Sequence, residues 1–420
     1  MSEQPEPSGS LTGYPLRAFV ICFASLTFAS MDQALFGYAV PAIREEFGVP
    51  LETIGWIFAV SFAIAGATIA GIGVVTDRIG RKIVLMASTV ASSIFVTLHA
   101  VAPTALVLGV FRTLGYAAGG LQVPVAGTIV VEESPARFRG VLTGILQTGY
   151  PLGWFLASLL AAPVLGRWGW RPMFLIGLIS IPFTIVIWKY LRETQRFKTH
   201  RSALEDAEIA SREPAKLRHI FAPDLRRVTI VLFLGEFLHV AAYGGSAFYL
   251  PTYFVESRGF SIEQSTLLVG AAYGIGAIGY ILSSFVGEFW MRRRNVIVIW
   301  SWLGAALFLC LIWATSSIAS IVVVYGLVTM FFYGTTAVKF TFLAEHFPTR
   351  VRATGVGFSG AFAINLGLAI GPLGASYAIG WLGWDAAFSF FVAIPLFLSG
   401  LVFLTLESRP SGVEVEEIAT

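Results

Sequence analysis

The stretch Glu132–Gly140, EESPARFRG, is written a second time as EHFPTRVRATG from Glu345. Glu132, Pro135, Arg137 and Arg139 meet Glu345, Pro348, Arg350 and Arg352 at a constant offset of 213 positions, half of a 420-residue chain. Other landmarks keep nearly the same step. PAIREEFG from Pro41 returns as PTYFVESRG from Pro251, GWRPMF from Gly169 as GWDAAF from Gly383, Ile181-Pro182 as Ile394-Pro395, and Glu193 as Glu407, at offsets of 210 to 214. The chain reads as two similar halves in tandem.

Composition says what the halves are dissolved in. The chain is 56% hydrophobic and only 13% charged, where a soluble domain carries about 25% charged residues. Twelve apolar runs stand out, at about 16–43, 52–76, 83–101, 104–131, 140–165, 171–191, 228–254, 264–290, 295–314, 318–344, 354–380 and 384–405. Runs of about 20 apolar residues are long enough to span a bilayer. In lipid each run must satisfy its own backbone, so each is expected to be a helix. The expected fold is an all-α membrane protein of twelve transmembrane helices in two pseudo-symmetric six-helix halves. Its expected parts are a disordered tail (1–15), a first bundle (16–191), a cytoplasmic linker (192–227), a second bundle (228–406) and a second tail (407–420).

Basic residues orient the chain. With the N-terminus cytoplasmic, 21 of the 28 Lys and Arg fall in cytoplasmic segments and four in outer ones, Arg44, Arg167, Arg171 and Arg258. Both termini are therefore expected in the cytoplasm, and the net charge of +3 is a sorting signal with no bearing on nucleic acid. Residues 1–13 are polar, and the run that follows is far longer than a signal-peptide core, so no cleavable signal is expected. Cys22 and Cys310 lie inside apolar runs as packing residues, without disulfide or metal spacing.

Between the second and third runs stands GVVTDRIGRK, Gly73 to Lys82. It matches G-x-x-x-D-R-x-G-R-[RK], a signature of the major facilitator superfamily, at every specified position: Gly73, Asp77, Arg78, Gly80, Arg81 and Lys82. GEFWMRRR from Gly287 resembles a degenerate second copy, with Glu288 at the Asp position, Arg292 and Arg293 at the paired basic positions, and Met291 in place of the central Gly. That turn is expected to be built differently. FRTLGYAAGGLQVP from Phe111, LRETQRF from Leu191, FYLPTYF from Phe248 and AEHFPTRVRATGVGF from Ala344 resemble the branch that holds sugar porters and aromatic- or organic-acid:proton symporters. Tyr116 occupies a usual Gly position in the first of these and would crowd a close helix contact. The resemblance covers 16–406 and implies a substrate site between the halves, lined by the first, fourth, seventh and tenth helices.

Charges at cytoplasmic helix ends recur in both halves: Arg78, Arg81, Glu132, Glu133, Arg137, Arg139 and Glu193 in the first, Arg292, Arg293, Glu345, Arg350, Arg352 and Glu407 in the second. Acids contribute little to topology, so their repetition among the bases suggests an inner gate; the alternative is solvated surface pairs. Asp77 is placed to cap a helix N-terminus across the interface.

Charges inside a membrane are expensive and functional by default. Asp32 and Arg112 are expected at similar depths in the first and fourth helices, as a pair or a shared network, or as an ion pair that only fixes packing. Glu236 and His239 are three residues apart, hence on one helix face, and histidine titrates near physiological pH, which suits a proton carrier; a hydrogen-bonded packing pair is the alternative. Lys339 either snorkels to the inner interface or meets an anionic substrate. Tyr150, Trp154, Tyr243, Tyr273 and Tyr333 are candidate cavity walls. No nucleotide loop, metal cluster, catalytic set or cofactor site stands out, so no enzyme activity is expected.

These readings converge on a monomeric secondary transporter in the cytoplasmic membrane that imports a small organic anion, possibly aromatic, with protons. A sugar or sialic-acid-type cargo is the rival. A drug-exporting antiporter fits less well, because GYPLGW, Gly149 to Trp154, departs from the G-P-x-x-G-G that such exporters carry.

Overall fold

A computed structural model describes residues 12–135, 138–194, 217–348 and 350–407. Arg137, the tails and most of the linker lie outside the described residues, and Gly73, Asp77 and Arg78 are described in backbone only. Among the described residues twelve helices are long and apolar enough to cross a membrane. They are α1 Tyr14–Phe47, α2 Leu51–Ile79, α3 Arg81–Val101, α4 Ala105–Glu133, α5 Arg139–Trp168, α6 Trp170–Tyr190, α7 Arg226–Glu256, α8 Ile262–Phe289, α9 Arg293–Trp313, α10 Ile318–Glu345, α11 Arg352–Leu382 and α12 Trp384–Leu404. The protein is a multi-pass, all-helical membrane protein.

Several helices outrun the apolar stretches that predict them. The 34 residues of α1, at about 1.5 Å each, exceed the roughly 30 Å of a hydrocarbon core, so its ends project into the loops. Ladders of exposed tryptophan mark the two interfaces: Trp168, Trp313 and Trp381 at one end, Trp188 and Trp290 at the other, basic end, where amphipathic rings settle beside headgroups.

Turns repeat with the halves. Gly169 and Gly383 join α5 to α6 and α11 to α12 at φ +80° and +77°, a conformation that side chains disfavour. The signature turn does not repeat. Gly80, at φ +107°, is the single residue between α2 and α3. At the corresponding place Met291 stands in a three-residue link, and Arg292 there keeps an ordinary extended φ of −61° before α9.

Packing follows the same twofold plan. α1 lies against α5 and α7 against α11 within the halves, while α2 meets α11 and α5 meets α8 across them. Both cross-half contacts depend on a glycine facing a serine. A Cβ on Gly270 would collide with the Ser158 hydroxyl, and one on Gly55 with that of Ser376, so the backbones approach as closely as small-residue interfaces in membranes allow. At the end opposite the basic loops, Arg44 of α1 pairs with Glu256 of α7, and Phe58 of α2 stacks on Phe248 of α7 at 4.5 Å. These contacts close that end between the halves.

Candidate functional site

α1, α3, α4 and α5 enclose a cavity of about 520 Å³ including its mouth. Asp32 and Arg112 both line it and are buried. They share the space without a direct ion pair. Asp32 Oδ2 accepts a hydrogen bond from Ser92 of α3 at 3.3 Å. The Arg112 guanidinium lies against the rings of Phe36, Tyr116 and Phe58, at 4.7, 5.3 and 5.6 Å from their centroids. Cation–π contact offsets part of its desolvation, but its Nε and Nη2 are buried without a hydrogen-bond partner.

Local sequence explains why this helix can face a cavity. Gly115 and Gly119 bring α4 close to Phe95 and Ser92 of α3, and Gly120 fits beside Ile69 of α2. Tyr116 crowds none of these contacts. It lines the cavity instead, and its hydroxyl accepts from Gln33 Nε2 at 3.2 Å.

Of the five aromatic candidates, Tyr150 lines the cavity, and the other four are packed beyond it, between the halves. Trp154 stacks on Tyr273 at 4.6 Å, and Tyr243 meets Tyr333 edge-on at 4.7 Å. Hydroxyls link this cluster to the cavity. Tyr243 donates to Tyr150 at 3.0 Å and lies 3.1 Å from the Tyr273 hydroxyl, while Tyr150 donates to Gln33 Oε1 at 2.7 Å. A polar chain therefore runs from α8 and α7 of the second half to α1 of the first.

Glu236, His239 and Lys339 are absent from the cavity wall. Lys339 Nζ donates to Glu236 at 3.0 Å, with side chains only 2% and 4% exposed. The lysine neither snorkels nor stands free for an anion. His239 Nε2 lies 3.2 Å from the Thr335 hydroxyl, and its ring meets Phe332 edge-on at 5.0 Å. This is a second polar centre, held between α7 and α10.

At the basic end the described ion pairs lie within each half. Arg81 reaches Glu132 at 3.4 Å, and its counterpart Arg293 pairs with both Glu345 and Glu288. Glu193 accepts from the backbone N–H groups of Arg81 and Lys82 at 2.8 and 3.2 Å. It thereby caps α3, where free N–H groups and the helix dipole favour an anion. Lys82 Nζ donates to Trp188 O at 2.7 Å, and Arg352 Nε to Phe347 O at 3.2 Å. Arg139 opens α5, Arg292 precedes α9, Arg350 sits in the link before α11, and Glu407 is exposed after α12.

Polar cavity residues that sequence reasoning missed include Ser30, Gln33, Ser92, Tyr116 as a lining group, and His99. Gln33 follows Asp32 directly and was within reach of inspection. His99 was not, because it falls at the end of an apolar run, where a polar residue reads as a boundary. Phe174 stacks on its ring at 4.7 Å and Phe36 packs against it at 5.8 Å, which buries it.

Comparison with known proteins agrees with this architecture. The sequence profile described as Major Facilitator Superfamily matches residues 22–297 and 232–419. The cis,cis-muconate transport protein of Acinetobacter baylyi is 27% identical over 394 residues, covering 90% of this chain and 92% of its own. The gentisate transporter of Corynebacterium glutamicum is 27% identical over 419 residues, covering 97% and 92%. Among solved structures, a D-xylose-proton symporter superposes with a TM-score of 0.75 over 96% of this chain and 100% of its own, at 16% identity, a likeness of fold alone. Two tandem six-helix halves, an intact signature turn at Gly80 and a match that spans nearly the whole sequence place the chain in the major facilitator superfamily, a family of transporters rather than enzymes.

Proposed function

We propose that the protein imports a small organic acid together with protons, by alternating exposure of the cavity around Arg112. The observation that carries this reading is the Arg112 guanidinium, whose Nε and Nη2 are buried without a partner among aromatic rings. Two adjacent N–H donors on a planar cation match the two oxygens of a carboxylate. The surrounding rings suit an apolar or aromatic body. Relatives named for muconate and gentisate, both carboxylates, support the same class.

Asp32 supplies the coupling. With Asp32 ionised, the cavity holds one cation and one anion. Protonation of Asp32 leaves the guanidinium uncompensated, and a carboxylate arriving with that proton restores neutrality. Movement of a net-neutral cavity past the apolar interface between the halves is far cheaper than movement of a charged one. Glu236 and Lys339 already neutralise each other and serve as a fixed ion pair in the second half. The basic end is cytoplasmic by the distribution of Lys and Arg, the protein acts as a monomer, and the repeated charges at that end form the inner gate. A neutral sugar fits less well, because it would leave the guanidinium without its counter-charge.

The test is uptake of a labelled carboxylate panel by membrane vesicles, with and without an imposed pH gradient, beside the neutral amide of each acid. Gradient-driven accumulation of one or more acids, with the amides excluded, is the expected result. Equal handling of acids and amides would overturn the anion reading and promote the sugar.

A further inference from the structure

We infer that His99 reads a hydroxyl group on the substrate, so that the cavity is built for a hydroxylated acid. This rests on the organic-acid reading above and narrows it. His99 lines the same cavity as Arg112 and is 1% exposed. Its Nδ1 lies 2.8 Å from the Phe95 carbonyl oxygen and 3.0 Å from that of Val96. Carbonyl oxygens only accept, so Nδ1 carries the hydrogen, and neutral imidazole then presents a lone pair at Nε2. That Nε2 is buried and has no partner.

Several polar groups of the wall have partners within the protein: Ser92 with Asp32, Ser30 with the Tyr150 carbonyl oxygen, and Gln33 with Tyr116 and Tyr150. Three buried side-chain atoms of the wall remain unsatisfied, the Arg112 donors Nε and Nη2 and the His99 acceptor Nε2. Buried polar atoms left unpaired are destabilising, and native proteins pair nearly all of them. A ligand that satisfies all three carries a carboxylate and, apart from it, one hydrogen-bond donor, which in a small organic acid is most simply an O–H. The ring of His99 is fixed by its two carbonyl contacts and by the Phe174 stack, so the acceptor is positioned before the ligand arrives. A site that holds a fixed hydrogen-bonding atom for a hydroxyl rejects the analogue that lacks it, since binding then seals that atom away from any partner.

The experiment measures binding of benzoate, the three hydroxybenzoate isomers and their methyl ethers to the purified protein. The wild type is expected to bind at least one hydroxybenzoate roughly 10- to 100-fold more tightly than benzoate and than the matching ether. In His99→Asn the amide N–H can still reach the Phe95 and Val96 carbonyls, but no atom occupies the Nε2 position. Whatever its affinity for benzoate, that variant should lose the hydroxyl preference, read as the ratio of hydroxybenzoate to benzoate affinity, to within about threefold. His99→Gln, whose amide oxygen reaches toward the vacated position, should recover part of the preference, which a merely structural histidine would not. A wild type indifferent to the hydroxyl, as when Nε2 meets only water, overturns the inference without any variant having to fold, and so does a preference that survives His99→Asn. Failure of every acid to bind would instead bring down the organic-acid reading, and this inference with it.

Discussion

Lys339 donates to Glu236 at 3.0 Å from within the packing of α10 and α7, and neither side chain is more than 4% exposed. A pair sealed this completely is strongly coupled to folding. Lys339→Ala should lower stability by about 3–5 kcal/mol, because it strands a buried carboxylate, whereas Lys339→Met with Glu236→Leu should be close to neutral. Thermal melts of the protein in detergent measure both. The double variant should still accumulate substrate, and loss of gradient-driven uptake in a stable double variant would make the pair part of the proton path.

Asp32 has a different expected signature. Asp32→Asn keeps the shape of the cavity and a partner for Ser92, but the residue can no longer gain and lose a proton. Uphill accumulation should vanish while exchange of substrate across the membrane continues. Measured accumulation equal to that of the wild type would take Asp32 out of the mechanism.

Arg112→Gln should weaken binding of acids roughly 10- to 100-fold, the range for a hydrogen bond to a charged group. Arg112→Lys should recover only part of this, because an ammonium is a point charge and cannot offer two parallel N–H groups. Calorimetry with a transported acid and its amide reads the effect directly, and the amide should be little affected by either change.

The Gly270–Ser158 contact should control closure at the end opposite the basic loops. Gly270→Ala forces α5 and α8 apart and should raise cysteine labelling in the outer vestibule several-fold. Adding Ser158→Gly removes the obstructing hydroxymethyl and should restore the wild-type pattern. If Gly270→Ala labels as the wild type does, this contact has no part in closure.

Neutralising Arg81 or its counterpart Arg293 breaks the pairs with Glu132 and with Glu345 and Glu288. Each change should favour opening of the basic end, seen as faster labelling of cysteines placed in its vestibule. Arg81 and Arg293 are buried at this end, so each pair contributes more than the roughly 0–1 kcal/mol of a solvent-exposed one, and each shift in the balance of states should exceed about fivefold. Unchanged labelling with unchanged transport would leave these charges with a topological role alone.

Much of the fold was legible because its signals are one-dimensional. An apolar run long enough to span a bilayer declares a helix by itself, and a phrase repeated 213 positions later declares a second half. Even the irregular turn could be read, since Met291 stands where Gly80 adopts a positive φ. The site was less legible because its chemistry depends on pairings across distant positions. Glu236 and Lys339 are 103 residues apart, and no spacing rule joins them, so a lysine that looked free to snorkel proves to be held. Asp32 and Arg112 were readable as intramembrane charges, but their engagement with different partners, Ser92 for one and aromatic rings for the other, was not. Trp154, Tyr273 and Tyr333 show the limit for aromatics: facing a cavity and facing one another have the same sequence signature.

The cavity wall is drawn entirely from α1, α3, α4 and α5, although both copies of the repeat contribute equally to the architecture. On the proposed reading the first copy carries both the group that meets the cargo, Arg112, and the acid that couples it to protons, Asp32. The second copy then supplies the face against which the first one packs, so a change of cargo and a change of coupling would both be written in the same half of the sequence.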